Sequence, residues 1–400
     1  MVVLKLSYFL LLLLCGGGVL STQLCLTGDF DSQLRHLLSV QMGSTEDPEQ
    51  IISRILNDVR DTLSQRWQGF KLIPFGSLIA GISTKSSDLD ISFRLPNLNY
   101  SSSSNIFEEA KQLFQQQATL YTDIFVEQTI KYLRCSFKHI PTKRNVDLVF
   151  HLSKYSEEGV ETSKLFKYLF NLDKRNNSLV RFLTYLFNTH EVASDDRQKL
   201  VNYLVYMLLI FYLQQKNMAP PVYVLQKDSE GIFVDNWDVS FNELPYRTKN
   251  DENLYQLIGG FFKFYSKFNF DEYIVSPYTG RAIPRSVFID GYNPHEEFSL
   301  DNYFNRTTQF SIGKKLKCAD LCILGVFLQD FNEAGLVTQE NVIKFKYFLK
   351  SVAEIFKDLP NDRVLRAILV VDENKETITK RNNSAVDGMN DENCIEVSNM

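Results

Sequence analysis

The chain has 400 residues, 44% of them hydrophobic and 23% charged, with a net charge of −5. That apolar content excludes a largely disordered chain, and the length suits two domains with cores of ordinary size. An acidic protein is not built to grip long duplexes through many phosphates, so any nucleic-acid contact has to be local, at a strand end.

Residues 1–21 open with Lys5 ahead of an apolar run over 6–15, followed by Gly16-Gly17-Gly18. A charged start, a short apolar core and small residues form the pattern of a secretory signal, and the run is too short for a stable membrane span. Acceptor triplets for N-glycosylation begin at Asn99, Asn176, Asn305 and Asn382. Such triplets also arise by chance, and the leader reads equally as an unusual start. The six cysteines, unclustered apart from Cys318 and Cys322, are read as free thiols of a reducing compartment.

Asp47-Pro48-Glu49-Gln50 has the makings of a helix start, with Asp47 as N-cap, Pro48 in the first helical position and Gln50 as reciprocal partner. Ile52, Leu56, Val59 and Leu63 then recur along one apolar face. A strand is expected over 71–74, then a turn at Gly76-Ser77. Leu89, Ile91 and Phe93 alternate with Asp88, Asp90 and Ser92, a strand with one apolar and one acidic face. A Ser-rich loop over 97–105 leads to a helix at 107–117 and strands near 131–138 and 146–152. From about residue 163 the period becomes 3.6, with helices expected around 165–172, 179–186, 200–213, 259–265 and 342–356. The third is apolar almost all round, as at the buried centre of a helical domain. The polar stretch 374–400 is expected to be disordered.

Ten residues separate Phe75-Gly76-Ser77 from Asp88-Leu89-Asp90. A Gly-Ser turn offers close backbone approach and a hydroxyl for a phosphate oxygen. Two aspartates at i and i+2 on a strand share a face, ~7 Å apart, and both can reach a pair of divalent ions. Asn145-Val146-Asp147-Leu148 supplies a third carboxylate on a second strand. Asp88, Asp90 and Asp147 are thus the candidate catalytic and metal-binding residues of a nucleotidyl-transfer site, and oxygen ligands point to Mg2+ or Mn2+.

The Gly-Ser…Asp-x-Asp…Asp set resembles the DNA-polymerase-β-like nucleotidyltransferase superfamily. The downstream chain is similar to its RNA branch, the non-templated poly(A) polymerases and terminal uridylyltransferases. The likeness runs through Asp173-Lys174-Arg175, Asn202-Tyr203-Leu204 with Leu213-Gln214, Leu257 to Tyr265 with Pro277-Tyr278, and Cys322 to Phe327 with Asn332. The resemblance implies an α+β fold: a mixed-sheet nucleotidyltransferase palm domain with leading helices (27–155) and a mostly helical central, PAP-associated domain (156–370). It further implies that Gly76 and Ser77 hold a triphosphate and that Tyr203 stacks on the base, with Asn202 in the place of a usual Ser. Phe331 stands where uridylyltransferases carry a base-selecting His.

Departures are visible at Thr184 and Asn188, where the family carries basic residues that neutralise triphosphate charge, and at Thr162, where it carries a sugar-contacting Asn. Lys199, Arg181 or Lys164 could compensate. Basic residues Lys131, Arg134, Lys138, Lys143 and Arg144 read either as a track for an RNA 3′ strand or as a solvated face. The leading expectation is an intracellular RNA 3′-terminal nucleotidyltransferase, adding AMP in preference to UMP from ATP or another nucleoside triphosphate, with an RNA-binding adaptor protein as a possible partner. Its alternative is a catalytically weak or inactive paralogue that serves as an RNA-binding or scaffold protein.

Overall fold

A computed structural model describes residues 21–42, 47–85, 87–95, 103–128, 132–151, 158–193, 200–234, 237–288, 316, 318–370 and 394–398. The leader over 1–20, the acceptor triplets at Asn99, Asn305 and Asn382, and Lys131 and Lys199 lie outside these residues.

The chain begins with β1 (Ser21–Cys25), α1 (Phe30–Met42) and α2 (Pro48–Ser64), then β2 (Lys71–Phe75) and β3 (Leu89–Arg94). Next come α3 (Ser103–Gln116), β4 (Tyr121–Gln128), β5 (Tyr132–His139) and β6 (Arg144–His151). A five-stranded sheet of order β2-β3-β6-β5-β4 results, parallel between β3 and β6 and antiparallel elsewhere. One face is dry: Leu89, Ile91 and Phe93 are buried together with Val146, Leu148 and Phe150. Helices α2 and α3 cover it through Ile51, Ile55, Val59 and Leu63, and Phe107, Ala110 and Phe114. Asp47 caps α2 by accepting from the Glu49 N–H, with Pro48 at the first position. The buried face of α2 is rotated from the expected one, because Ile51 and Ile55 are buried and Ile52 and Leu56 only partly so.

Helices α4 (Glu158–Asn171), α5 (Lys174–Thr189) and α6 (Asn202–Gln215) follow, then the short α7 (Val222–Leu225), the ribbon β7 (Phe233–Val234) with β8 (Trp237–Asp238), and α8 (Leu254–Tyr265). A hairpin of β9 (Tyr273–Ser276) and β10 (Arg281–Pro284) precedes α9 (Gln339–Asp358), α10 (Asn361–Leu369) and β11 (Cys394–Ser398). These helices form a second, larger core with α6 at its centre, every residue of it from Leu204 to Gln214 being buried. Helix α1 joins this second core through Phe30, Leu34 and Leu37 rather than the sheet. It is fastened to α10: Phe30 N–H donates to Asn361 Oδ1 at 2.6 Å and Gln33 Nε2 to Asp362 O at 2.8 Å.

Two expectations need correction. Residues 394–398 of the polar tail form β11, antiparallel to β1, with Cys25 opposite Cys394 in register. The local Cys-Ile-Glu-Val-Ser alternation suits a strand, a signal that overall polarity hides. The cysteines are also not all free thiols: Cys318 is bonded to Cys322, and Cys25 is disulfide-bonded. Four residues of separation in an irregular segment bring the first pair together. Among the described residues Cys135 is free; it is buried, and burial, then the charge of Asp147, pushes its thiol up to about 12.

The Asn176 triplet lies in the first turn of α5, fully buried, with its amide donating to Leu169 O at 3.2 Å and Met218 O at 3.4 Å. Asn176→Ala strands both carbonyls and is expected to cost about 1–3 kcal/mol in chemical denaturation. Folded protein from a glycosylating host is expected to carry no glycan there by peptide mass spectrometry, since a buried amide cannot present one.

Candidate active site at the sheet edge

Strand β2 ends at Phe75, the register partner of Asp90. Gly76 turns the chain at φ +81°, a conformation L side chains rarely adopt, and a Cβ there would collide with the Asp90 carboxylate. Its N–H donates to Ser163 Oγ at 2.7 Å, and that hydroxyl donates on to Gly159 O at 2.6 Å, so α4 pins the turn. The turn closes through Ala80 N–H on Gly76 O at 3.0 Å and Ile82 N–H on Ser77 O at 3.1 Å. Gly81 O accepts from Asn177 at 3.1 Å and Arg181 at 2.7 Å. Two helices of the large core therefore hold the loop that carries Gly76 and Ser77.

Asp90 and Asp147 are direct register partners on the parallel pair β3–β6, so both leave the sheet on the face opposite the buried Ile91 and Leu148. Asp88 stands one residue ahead of β3. Arg144 holds the approach to it, donating to Lys85 O at 2.7 Å and Ser87 O at 2.9 Å. Asp147 accepts from Ser136 Oγ at 2.6 Å and from Arg134 Nη1 at 2.8 Å, and Arg134 Nη2 reaches Glu127 at 2.7 Å. Arg134 and Arg144 are thus internal braces, whichever role the other basic residues of this region take.

From the helical side, Tyr203 is half-buried at the start of α6, its ring 5.8 Å from Phe166. Burial, then the Glu333 and Glu158 carboxylates, raise its hydroxyl well above the usual tyrosine range. Neighbouring Asn202 has a buried Oδ1 with no hydrogen-bond partner, and so does the Thr162 hydroxyl. One turn on, Tyr206 is buried, hydrogen-bonded to Thr184 and close enough to Asp90 that burial and then this carboxylate raise its pKa. The Thr184 hydroxyl donates to Val180 O at 2.7 Å, which leaves it to accept from Tyr206. Tyr206 escapes sequence reading because α6 is apolar all round; only its i+3 spacing from Tyr203 marks it.

Phe331 is 40% exposed in the loop that Asn332 anchors, through bonds to Ile323 N, Ala334 N and Leu321 O. The same loop carries Glu333 to the Tyr203 side of the site. Of the candidate compensating cations, Lys164 pairs with Glu161 at 2.8 Å, and Arg181 donates to the turn.

Residues 30–170 match the family model described as Poly(A) RNA polymerase, mitochondrial-like, central palm domain, and residues 253–294 match that of the Cid1 family poly A polymerase. The chain is similar to poly(A) polymerases and terminal uridylyltransferases. Human Terminal uridylyltransferase 7 is 28% identical over 245 residues, 57% of this chain and 16% of that protein. The Speckle targeted PIP5K1A-regulated poly(A) polymerase of Danio rerio is 22% identical over 311 residues, 68% of this chain and 39% of that protein. This chain thus spans well under half the length of those relatives. The fold matches mtPAP solved with ATPgammaS (TM-score 0.71, 18% identity, 86% of this chain and 73% of that one). It also matches the Cid1 poly(U) polymerase (TM-score 0.66, 16% identity, 85% and 98%). The β2–β6 sheet is accordingly a nucleotidyltransferase palm in an α+β fold.

The donor set fits a divalent cation: all candidates are carboxylates, and Asp90 and Asp147 are adjacent in register. Among the described residues, no group of three or more His, Cys, Asp or Glu is placed to hold one ion. The two oxygens of Asp147 accept from Ser136 and Arg134.

Proposed function

We propose that the chain is an RNA 3′-terminal nucleotidyltransferase that adds nucleotides to an RNA 3′ hydroxyl without a template. The observation that carries this reading is the Asp90–Asp147 pair, in register beside a Gly76 turn too tight for any Cβ. Asp88, Asp90 and Asp147 would hold Mg2+ or Mn2+, which lowers the barrier by offsetting charge on the phosphoryl group and the pyrophosphate. Asp147 would lie nearest the 3′ hydroxyl. Gly76, without a side chain, lets the turn pass close to the triphosphate, the hydroxyl of Ser77 binds it, and the Tyr203 ring stacks on the base. Asn202 and Thr162 supply unpartnered polar atoms at the edge of that platform, where the nucleotide is a natural partner. The test is extension of a short labelled RNA by the purified protein with Mg2+ or Mn2+ and each of the four nucleoside triphosphates in turn. Absence of extension under every condition overturns the reading.

The base reading rests on Phe331. An aromatic ring without donor or acceptor favours the larger purine face and cannot select uracil by hydrogen bonding. ATP is therefore expected over UTP by roughly tenfold, ~1.4 kcal/mol. Single-nucleotide extension by Phe331→His beside wild type is expected to move the ratio toward UTP. An unmoved ratio places Phe331 outside the base site.

A second reading, a catalytically weak paralogue that binds RNA or acts as a scaffold, is favoured by Thr184. This residue is tied to Val180 and Tyr206, while Lys164 pairs with Glu161 and Arg181 is committed to Gly81 O. Nucleotide binding without turnover in the extension assay would select it. Acceptor choice through an RNA-binding adaptor belongs to the first reading, because the family match accounts for the palm and PAP-associated segments alone.

On compartment, RNA and nucleoside triphosphates argue for the cell interior, whereas the Cys318–Cys322 disulfide argues for an oxidising one. Among the described residues no helix is long and apolar enough to cross a membrane. Peptide mapping under non-reducing conditions and N-terminal sequencing of protein from its native source discriminate the two.

A further inference from the structure

We propose that Arg134 is an internal counter-cation that competes with the divalent ion for Asp147, and so sets how tightly the site takes metal. The inference rests on the reading of Asp147 as a metal ligand.

On β5, Leu133, Cys135 and Phe137 are buried in the core, which puts Arg134 and Ser136 on the face shared with Asp147. The Arg134 guanidinium spans three strands, with Nη1 on Asp147 of β6 at 2.8 Å and Nη2 on Glu127 of β4 at 2.7 Å. Its Nε is buried with no hydrogen-bond partner, so these two carboxylates are what hold the group in place. Ser136 Oγ takes the remaining Asp147 oxygen at 2.6 Å. Each oxygen of the carboxylate therefore already carries one donor, and a cation arriving on the Arg134 side meets a guanidinium whose charge opposes it at the same carboxylate. The contact has a purpose when the ion is absent. Asp90 and Asp147 are register partners, and like charges directly opposite on a sheet repel. A guanidinium on one of them offsets that repulsion. Glu127 gives Arg134 somewhere to stay when it lets Asp147 go, so the exchange needs no new buried unpaired charge.

The readout is Mn2+ affinity of the full chain, without nucleotide or RNA, from the free-ion signal in electron paramagnetic resonance. Arg134→Met removes the competitor and is expected to tighten binding on the order of tenfold. Lys138→Met makes the same charge change farther along β5 and is expected to stay within about twofold, since among the described residues no ion pair joins Lys138 to Asp147 and a charge at that remove is largely screened. Glu127→Gln leaves Arg134 with Asp147 alone and is expected to weaken binding by roughly threefold. That opposite sign keeps the proposal testable should Arg134→Met fail to fold. Arg134→Met with unchanged or weaker Mn2+ binding overturns the proposal. So does equal tightening by Lys138→Met, which would show a general charge effect, or a tighter Glu127→Gln. Asp147→Asn is expected to weaken binding and to erase the gain in the double variant with Arg134→Met. If Asp147→Asn alone leaves the affinity unmoved, the metal reading itself fails, an outcome distinct from failure at Arg134.

Discussion

Asp90→Ala is expected to abolish RNA extension, by about a thousandfold or more, while the protein remains folded. Losing a carboxylate that shares the ion removes several kcal/mol of transition-state stabilisation, and ~4 kcal/mol corresponds to that factor. Stability is expected to hold because Asp90 points away from the Leu89–Ile91–Phe93 core and is only partly buried. Removing it also relieves repulsion with Asp147 across the strand pair. The measurement is the extension rate at matched thermal midpoint. A variant that still extends RNA at a tenth of the wild-type rate would take Asp90 out of the chemistry and leave the Gly76 turn without a catalytic partner.

The second large effect is expected at a residue with no side chain. Gly76→Ala forces a methyl group into the Asp90 carboxylate at a backbone angle of φ +81°. The left-handed backbone alone costs roughly 1–2 kcal/mol for a non-glycine residue. Gly81, at φ +71° in the same turn, provides the comparison, since a Cβ there meets nothing within 4 Å. Both alanine variants are expected to lose that backbone contribution, and Gly76→Ala somewhat more because Asp90 must give way. Only Gly76→Ala is expected to lose activity as well, by more than about a hundredfold, because Asp90 must move and a small misplacement is costly in catalysis. Equal activity in the two variants would show that Gly76 is retained for its backbone angle alone.

The palm was legible in the sequence where the side-chain period is uninterrupted. The alternation through Asp88 to Phe93 and through Asn145 to Phe150 placed Asp90 and Asp147 on strands facing away from the core, and both strands are there. Strand β4 was not legible. Asp123 has φ +54° and the register shifts between Thr122 and Phe125, so the bulge breaks the period of two. Long-range geometry was hidden for another reason. That Arg134 would meet Asp147 depends on the β5–β6 register, which pairs Ser136 with Asp147 and is set by the turn between the strands. Tyr206 was lost in a helix whose uniform apolarity carries no face information. Likewise, α1 precedes the palm in sequence and packs in the other core, because its apolar face records that it must be buried and not by what.

The clasp between α1 and α10 bears on how the protein is made. Phe30 and Asn361 are 331 positions apart, yet they are joined backbone to side chain. The palm core, from Ile51 to Phe150, is complete once its own strands have left the ribosome. The larger core waits for α10, about 220 residues later, or roughly 10–40 s at ordinary rates of synthesis. Through that interval α1 and the unbroken apolar surface of α6 have no lasting cover, an exposure that invites chaperone binding. Completion of the larger core, more than any step within the palm, is then what sets when the helical side of the candidate site is held firmly against the acidic strands.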